Sequence, residues 1–447
     1  MKKLSALFFS LIIILSLSSI AVNAESVPDI KAAQAVLMDA KTGQVIFQKN
    51  MNERAYPASI TKIMTTLLAV ENASLTDVLT ATETAVGNAA VPRDTSHIML
   101  VDGEQMPLES LLYATMLPSA NDAANVVAEY IGGSISGFAK IMNSRAEAIG
   151  CTNTNFCNAN GLPNKDHYVT AYDMALITKT ALQNEMFRKF FSGVTYTAAA
   201  TNKNTERTGA TSHKMLKASE YYYESATGGK TGWTEAAKYT VVTSAKRGDV
   251  ELICVLLGCE TGDQRFSETT ALFNYVFSNY RYATLSKAAA GPYTADVIKD
   301  DYKVSVAKYM LNSDITFLLE NTFTQKDVKI TTSVAKKYTQ DPGAEFITLT
   351  AGGTEIGKYP LELSMQSLDA PVFVGSEVKI ENSGGFWDAV IKVLVIIGVV
   401  VLVLAVLFII FIVYAYMERK KRIERRRKLK QRQQQRQNNF YFDDKDI

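Results

Sequence analysis

Three short groups of residues could together carry out acyl transfer. The first is Ser59-Ile-Thr-Lys62, inside Tyr56-Pro-Ala-Ser-Ile-Thr-Lys-Ile-Met-Thr-Thr-Leu-Leu-Ala-Val70. A serine hydroxyl is a poor nucleophile until a base takes its proton, and a neutral lysine amine can do that. Pro57 and Ser59 suit the start of a helix, so Ser59 and Lys62 are expected on one face of its first turn. Desolvation and the positive end of the helix dipole are expected to lower the Lys62 pKa. The second group is Ser119-Ala-Asn121, expected on a loop between two helical faces. Its hydroxyl can relay a proton, and its amide can hold both a lysine and a substrate carbonyl. As plain helix caps the same residues would do no chemistry. The third is Lys230-Thr-Gly232, within Gly228-Gly-Lys-Thr-Gly-Trp-Thr-Glu235. Lys230 with the hydroxyls of Thr231 and Thr234 on a strand edge would bind a carboxylate, and Gly232 would let a ligand backbone come close. None of these is specific alone. Ser333-Val-Ala-Lys336 repeats the first in a segment that reads as strand, and Lys41-Thr-Gly43 repeats the third in a hairpin turn.

The elements that must position these groups follow from residue patterning. Residues 33–50 read as a hairpin turning at Asp39-Ala-Lys-Thr-Gly43, and the Ser59 helix follows. From 105 to 186 the pattern is mostly helical, broken at Gly132-Gly133 and by a loop from Asn158 to Tyr168. Tyr239–Ala245 and Val250–Leu257 form a second hairpin, and Phe266–Phe277 a closing helix. Strands at both ends with helices between predict an α+β fold, one antiparallel sheet carrying an inserted helical region. Beyond 295, alternating Val304/Val306, Val328/Ile330/Thr332 and Phe346-Ile-Thr-Leu349 predict a small β-sandwich domain ending near Glu381, then a linker at Ser383-Gly-Gly385.

Both ends of the 447-residue chain carry apolar runs. Met1–Ala24 has Lys2 and Lys3, an apolar stretch and a small-residue close at Val22-Asn-Ala24, the pattern of a secretory signal peptide. Residues 393–416 hold no charge, about 36 Å of helix, and are expected to span a membrane. The basic run Glu418–Lys430 behind them is expected on the cytoplasmic side. The net charge of +2 hides a body, 25–417, with 33 basic against 40 acidic residues, which argues against nucleic acid as a partner. Four cysteines without a Cys-x-x-Cys pair and three scattered histidines suggest no metal site, and no cofactor is expected. Cys151 and Cys157 are open to either a short disulfide or two free thiols.

Ser-x-x-Lys, Ser-x-Asn and Lys-Thr-Gly in this order, about 60 and 110 residues apart, resemble the penicillin-recognising serine enzymes. With the flanks Pro57-Ala-Ser-Ile-Thr-Lys62, Pro118-Ser-Ala-Asn-Asp-Ala123, Asn160-Gly-Leu-Pro163, Asp166-His167 and Ala171-Tyr-Asp-Met-Ala-Leu176, the chain resembles the low-molecular-mass D-alanyl-D-alanine carboxypeptidases, peptidase family S11, over about residues 28–285. The resemblance implies the serine β-lactamase/DD-peptidase-like fold. It implies that Ser59 attacks the carbonyl between the terminal D-alanines of a peptidoglycan stem peptide, with Lys62 as general base. Ser119 would relay the proton to the leaving amine, with Asn121 positioning. Lys230 and Thr231, assisted by Thr234, would bind the terminal carboxylate. The backbone N–H groups of Ser59 and Trp233 would form the oxyanion hole, the Trp233 side chain affecting substrate fit. β-Lactams would acylate Ser59.

The resulting expectation has a signal peptide at 1–24, a catalytic domain at 25–285 and a β-rich domain at 295–381. A single span at 393–416 and a basic cytoplasmic tail at 417–447 complete a cell-wall enzyme of the bacterial membrane. Family members are often held by an amphipathic helix instead, so the tail leaves room for cytoplasmic partners. Two other readings remain. A β-lactamase would want Ser-Asp-Asn at 119–121, where this chain has Ala120, and an acidic base on a loop. A non-catalytic scaffold that binds cell-wall peptide would need none of the reactive side chains.

Overall fold

Period-two alternation decides the central sheet. In a computed structural model, which describes residues 26–338, 344–374 and 385–440, strand β1 (Gln34–Asp39) and strand β2 (Val45–Lys49) form the first hairpin. Ser59 sits in a 3-10 turn, Ala58–Thr61, ahead of helix α1 (Lys62–Asn72). The chain continues through β3 (Val78–Thr80), α2 (Glu83–Val86) and β4 (Gln105–Pro107). Helices α3 (Leu108–Met116), α4 (Asn121–Gly132), α5 (Ile135–Ile149), α6 (Ala171–Ala181) and α7 (Glu185–Phe191) follow. After the small hairpin β5 (Thr195–Ala198) and β6 (Arg207–Ala210) come β7 (Ala226–Thr234), β8 (Lys238–Arg247), β9 (Val250–Cys259) and α8 (Gln264–Asn279).

The five long strands make one antiparallel sheet in the order β2-β1-β9-β8-β7, so both ends of this region supply strands and the helices lie between them in sequence. Val36 and Met38 of β1, with Ile253, Val255 and Leu257 of β9, face the core built by α1 and the inserted helices. Ala35, Leu37, Leu252, Cys254 and Leu256 face the other way, onto Phe266, Leu272, Phe273 and Val276 of α8. Covered on both faces, β9 has to be apolar at every position from Leu252 to Leu257, which is why it reads as an unbroken run. β7 is an edge strand, so its Lys-Thr-Gly segment has one side unclaimed by the sheet. Helix α1 is buried nearly all round, from Lys62 to Ala69.

The β-rich region holds β10 (Tyr280–Leu285), β11 (Tyr293–Lys299), β12 (Tyr302–Met310), β13 (Ile315–Glu320), β14 (Lys329–Thr332), β15 (Phe346–Ala351), β16 (Thr354–Pro360) and β17 (Glu362–Phe373). Its sheets are β10-β13, β11-β12-β17 and β14-β15-β16, and Ala307, Tyr309, Phe317, Ile347 and Leu349 share one core. All six residues of β10 pair with β13, from Tyr280 opposite Glu320 to Leu285 opposite Ile315. The Gln44 side chain caps the same sheet: its Nε2 donates to Leu318 C=O (2.9 Å), and its Oε1 accepts from Leu318 N–H (2.7 Å). Tyr282 donates to Asp39 Oδ2 at 2.6 Å.

Several expectations change here. Ser333-Val-Ala-Lys336 is not strand: β14 stops at Thr332, and Ser333 turns its hydroxyl onto the Glu345 carboxylate. All four cysteines are free thiols, Cys151 and Cys157 included. The signal-peptide residues 1–24 and most of the linker lie outside the described residues. The stretch 393–416 falls in helix α9 (Gly385–Phe440), and among the described residues no helix is long and apolar enough to cross a membrane. By internal contacts the chain divides into one unit of Met1–Val297 with Ser305–Asp369, and a second of Ile298–Val304 with Ala370–Ile447.

Candidate active site

Ser59 is presented by a strained turn rather than by regular helix. Ala58 has φ +51°, a conformation that costs a non-glycine residue about 1–3 kcal/mol and persists only where neighbours enforce it. Four contacts enforce it. Thr240 Oγ1 donates to Pro57 C=O at 2.9 Å. Thr61 Oγ1 donates to Ala58 C=O at 2.9 Å. His167 steadies that threonine: Cys157 N–H donates to His167 Nδ1 (3.1 Å), so the ring proton is on Nε2, which donates to Thr61 Oγ1 at 2.9 Å. Gly161 closes the turn from the other side, where a Cβ would stand 1.9 Å from Ala58 O.

Lys62 is completely buried, and its amine touches three groups: Ser59 Oγ at 3.0 Å, Asn121 Oδ1 at 2.7 Å and the Asn160 carbonyl at 2.5 Å. Burial, and then the nearby Lys230 charge, hold its pKa well below the usual lysine value, against a smaller opposing pull from Asp122. A neutral amine has two N–H bonds and one lone pair. Asn121 Oδ1 and the Asn160 carbonyl can only accept, so they take both N–H bonds. The lone pair is left for the Ser59 hydroxyl proton, which is the geometry of a nucleophile beside its base.

Ser119 is the second strained residue, at φ +67° between α3 and α4. It is not a helix cap: Ala120 is the cap of α4, and no side chain caps that end. The Ser119 hydroxyl instead accepts from Lys230 Nζ at 3.0 Å, while Lys230 also donates to the Thr231 carbonyl at 2.9 Å. Lys230 is 1% exposed, and burial, then the Arg265 charge, push its pKa down to about 7. The structure therefore brings together two hydrogen-bonded groups, Ser59, Lys62 and Asn121 in one and Ser119 and Lys230 in the other, close enough for the Lys230 charge to act on Lys62. Gly232 packs against the first, since a Cβ there would lie 2.8 Å from Ser59 N and 2.5 Å from Thr240 Oγ1. Trp233 is 57% exposed, its ring 6.1 Å from that of Tyr239. Thr234 is engaged in the turn after β7, where its hydroxyl accepts from Ala237 N–H at 3.1 Å.

Sequence reasoning missed several participants. Ser212 shares a hydrogen bond with Thr231 Oγ1 at 2.7 Å, placing two hydroxyls on the open edge of β7. Arg265 donates to the Gly232 carbonyl (3.2 Å) from α8, bringing a half-buried cation behind the Lys-Thr-Gly segment. His213 packs behind Gly229 and contacts Thr243 Oγ1 at 2.9 Å. Asn160 and His167 stood out only as part of a run; their buried polar contacts depend on tertiary folding. Gly161, at φ +85° next to Asn160, was the one local signal that this loop is pinned. Among the described residues no group of His, Cys, Asp or Glu could hold a metal ion.

Two predictions arise here. Gly161→Ala should displace the Ala58 carbonyl and with it Ser59. A shift of about 1 Å in a reacting group slows chemistry about a hundredfold. If β-lactams acylate Ser59, as the sequence resemblance implies, their acylation rates should fall by that order while ligand-free melting changes modestly, and unchanged acylation would show that the turn tolerates movement. The second concerns acid stability. Burial lowers the pKa of His167 to about 4 and that of His213 to about 3. Between the ordinary value of 6.5 and these, the unfolded chain binds protons that the folded chain refuses, so stability is lost as pH falls below 6.5, by about 1.4 kcal/mol per pH unit for each histidine. Melting temperatures from pH 7.5 to 5 should drop, and the drop should be shallower in His213→Asn.

A family model described as D-alanyl-D-alanine carboxypeptidase, peptidase S11, matches residues 21–261. The D-alanyl-D-alanine carboxypeptidase DacF of Bacillus subtilis is 35% identical over 257 residues, 58% of this chain and 65% of that protein. The matched part of the chain thus spans just under two thirds of that relative. A crystal structure of the D-alanyl-D-alanine carboxypeptidase DacD from Francisella tularensis aligns with TM-score 0.61 at 25% identity, over 79% of this chain and 98% of that one. One of penicillin binding protein 5 from Haemophilus influenzae aligns with TM-score 0.60 at 26% identity, over 78% and 99%. With Ser59 and Lys62 in contact at the head of α1 and the Lys-Thr-Gly strand closing on them, the chain belongs to the D-alanyl-D-alanine carboxypeptidase family, peptidase S11.

Proposed function

We propose that the protein is a serine-type D-alanyl-D-alanine carboxypeptidase that removes the terminal D-alanine of peptidoglycan stem pentapeptides. The observation that carries this reading is the Lys62 amine, buried and depressed in pKa, with its remaining lone pair on the Ser59 hydroxyl. Ser59 Oγ attacks the penultimate D-alanyl carbonyl while its proton passes to Lys62. The oxyanion is met by the N–H groups of Ser59 and Trp233, a stabilisation worth about 3–4 kcal/mol per donor. Ser119 relays that proton from Lys62 to the leaving amine as the C–N bond breaks, so D-alanine leaves while Lys230 stays charged. Lys230 and Thr231, with Ser212 and Thr234 nearby, hold the terminal carboxylate; Asn121 holds Lys62 and orients the substrate carbonyl. Water then gives a proton to Lys62 and attacks the ester carbonyl, the C–O bond to Ser59 breaks, and Ser59 Oγ regains its proton from Lys62 as the shortened peptide leaves with a D-alanine carboxylate. β-Lactams acylate the same oxygen.

A β-lactamase would use a carboxylate base beside the serine. Among the described residues the hydrogen-bond partners of Ser59 and Lys62 include no carboxylate. No observation favours a scaffold that lacks turnover.

We further read the catalytic region, about residues 25–285, as lying outside a bacterial cell, with a β-sandwich at 295–381 and an anchor at 393–416. The sandwich reading is supported by the core shared between β12, β13 and β15. The anchor reading rests on the uncharged sequence and on exposed apolar side chains such as Phe408, Ile410 and Phe411, followed by the basic run that favours the cytoplasmic face. The test is direct. Full-length protein given a peptide ending in D-Ala-D-Ala should release D-alanine, and penicillin should add its mass to the Ser59 peptide. Absence of both release and labelling would overturn the reading.

A further inference from the structure

Asp122 is a buried carboxylate to which the reaction as written gives no task. It is 2% exposed and sits in the first turn of α4, directly after Asn121. Among the described residues its oxygens pair with backbone N–H groups alone. Ala123 donates to Oδ1 (2.9 Å), Leu100 to Oδ2 (2.9 Å), and Ile98 to both (3.1 Å each). Met99, between two of these donors, stands at φ +61°, and the Ser96 carbonyl accepts from Asn121 N–H at 2.8 Å. The carboxylate thus ties the loop 96–100 to the helix that carries Asn121.

A tether accounts for these hydrogen bonds but not for the charge. An asparagine or serine oxygen also accepts N–H bonds, whereas a buried charge without a counter-ion is strongly penalised. Two cations come near. Arg207 reaches the Ile98 carbonyl from Nη1 (3.0 Å), but its Nη2 is committed to the Glu104 carboxylate. Lys62 bonds to Asn121, the residue next to Asp122, and the Asp122 charge acts on it, against burial and the Lys230 charge. Elsewhere around α4, Glu71 of α1 pairs with Arg145 of α5, Glu109 of α3 pairs with Lys189, and Glu83, Lys140 and Glu147 are exposed. On the site side stand His97 of the loop, His167 against Thr61, and Lys230. Lys62 is the one of these cations whose charge the reaction switches on: neutral at rest, it becomes an ammonium when it takes the Ser59 proton, and burial and Lys230 both oppose that change.

We propose that Asp122 is a positioning residue that acts through Lys62: its fixed negative charge is the counter-charge of the ammonium formed when Lys62 takes the Ser59 proton, offsetting the Lys230 charge at that step. This rests on the acyl-transfer reading above. The Ser59 O–H bond breaks, its proton goes to the Lys62 amine, and the oxygen's electron pair forms the bond to the carbonyl carbon. Asp122 gives and receives no proton. Its three N–H donors solvate the anion in place of water and need no rearrangement when the positive charge appears.

The test follows penicillin acylation of the full-length protein against pH, with melting curves alongside, for the parent and three variants. Asp122→Asn and Asp122→Ser still accept N–H bonds but carry no charge. A lysine without an anion beside it loses its proton more readily, so the rising limb should move to lower pH by about one unit, and the weaker base should acylate about tenfold more slowly on the plateau. Asp122→Glu keeps the charge and should keep the limb at the parent's pH, whatever it does to melting. Slower acylation with an unmoved limb in both neutral variants would overturn the inference and leave Asp122 as a tether only, with the acyl-transfer reading standing. Failure of all three variants to fold would likewise assign Asp122 to folding and overturn it. A parent that takes no penicillin label and releases no D-alanine would overturn the acyl-transfer reading itself, and the inference with it.

Discussion

Ser59→Ala is expected to lower D-alanine release by at least about ten-thousandfold, the order found when a covalent nucleophile is removed from a serine hydrolase. Only a hydroxyl is lost, and its partner Lys62 keeps Asn121 and the Asn160 carbonyl, so the fold should stand. The variant should therefore melt near the parent, carry no penicillin adduct, and still bind the stem peptide through the β7 edge. An adduct that persists, or release within tenfold of the parent, would mean that another hydroxyl is attacked. Ser119 would be the first to check, since its hydroxyl too touches a buried lysine.

The second large effect is set by two lysines that must be in opposite states. In the proposed reaction Lys62 would act as the neutral amine, and Lys230 would bind a carboxylate as the cation. kcat/KM reports the free enzyme, so it should rise with pH as Lys62 loses its proton at its lowered pKa, and fall as Lys230 loses its proton near about 7. A bound carboxylate favours protonated Lys230, so the falling limb of kcat should sit at higher pH than that of kcat/KM. Lys62→Arg keeps the charge permanently and removes the base. It should slow acylation by about a hundredfold to ten-thousandfold, without the rising limb. If Lys62→Arg acylates at the parent rate, the proton goes elsewhere.

Much of the sheet was legible because the pattern that predicts it is the pattern that buries it. Ile253, Val255 and Leu257 point one way and Leu252, Cys254 and Leu256 the other, and both sets are needed. The meeting of Ser59, Lys62, Asn121 and Lys230 was legible through the family resemblance that the order and flanks of the three motifs carry. The manner of presentation was not. Alanine carries no mark of a positive φ, so the turn at Ala58 could not be foreseen, and a helix was expected where a 3-10 turn stands. Its enforcement by His167, Thr61 and Gly161 joins residues about a hundred positions apart, which no local pattern encodes. The Lys62 pKa was expected to fall partly through the helix dipole; burial comes first and the Lys230 charge second.

The pairing of β10 with β13 bears on how the chain can be cut. β10 follows α8 without a break, and every one of its residues is matched across to β13. A fragment stopped at Leu285 would keep this strand and lose its mate. Its six residues would become an open edge, a template for adding strands from neighbouring molecules, and Gln44 would lose both bonds to Leu318. Such a fragment should precipitate or dimerise during expression. One ending at Asn279, which removes the orphan strand, or one carried through β17, which keeps its mate, should remain dispersed.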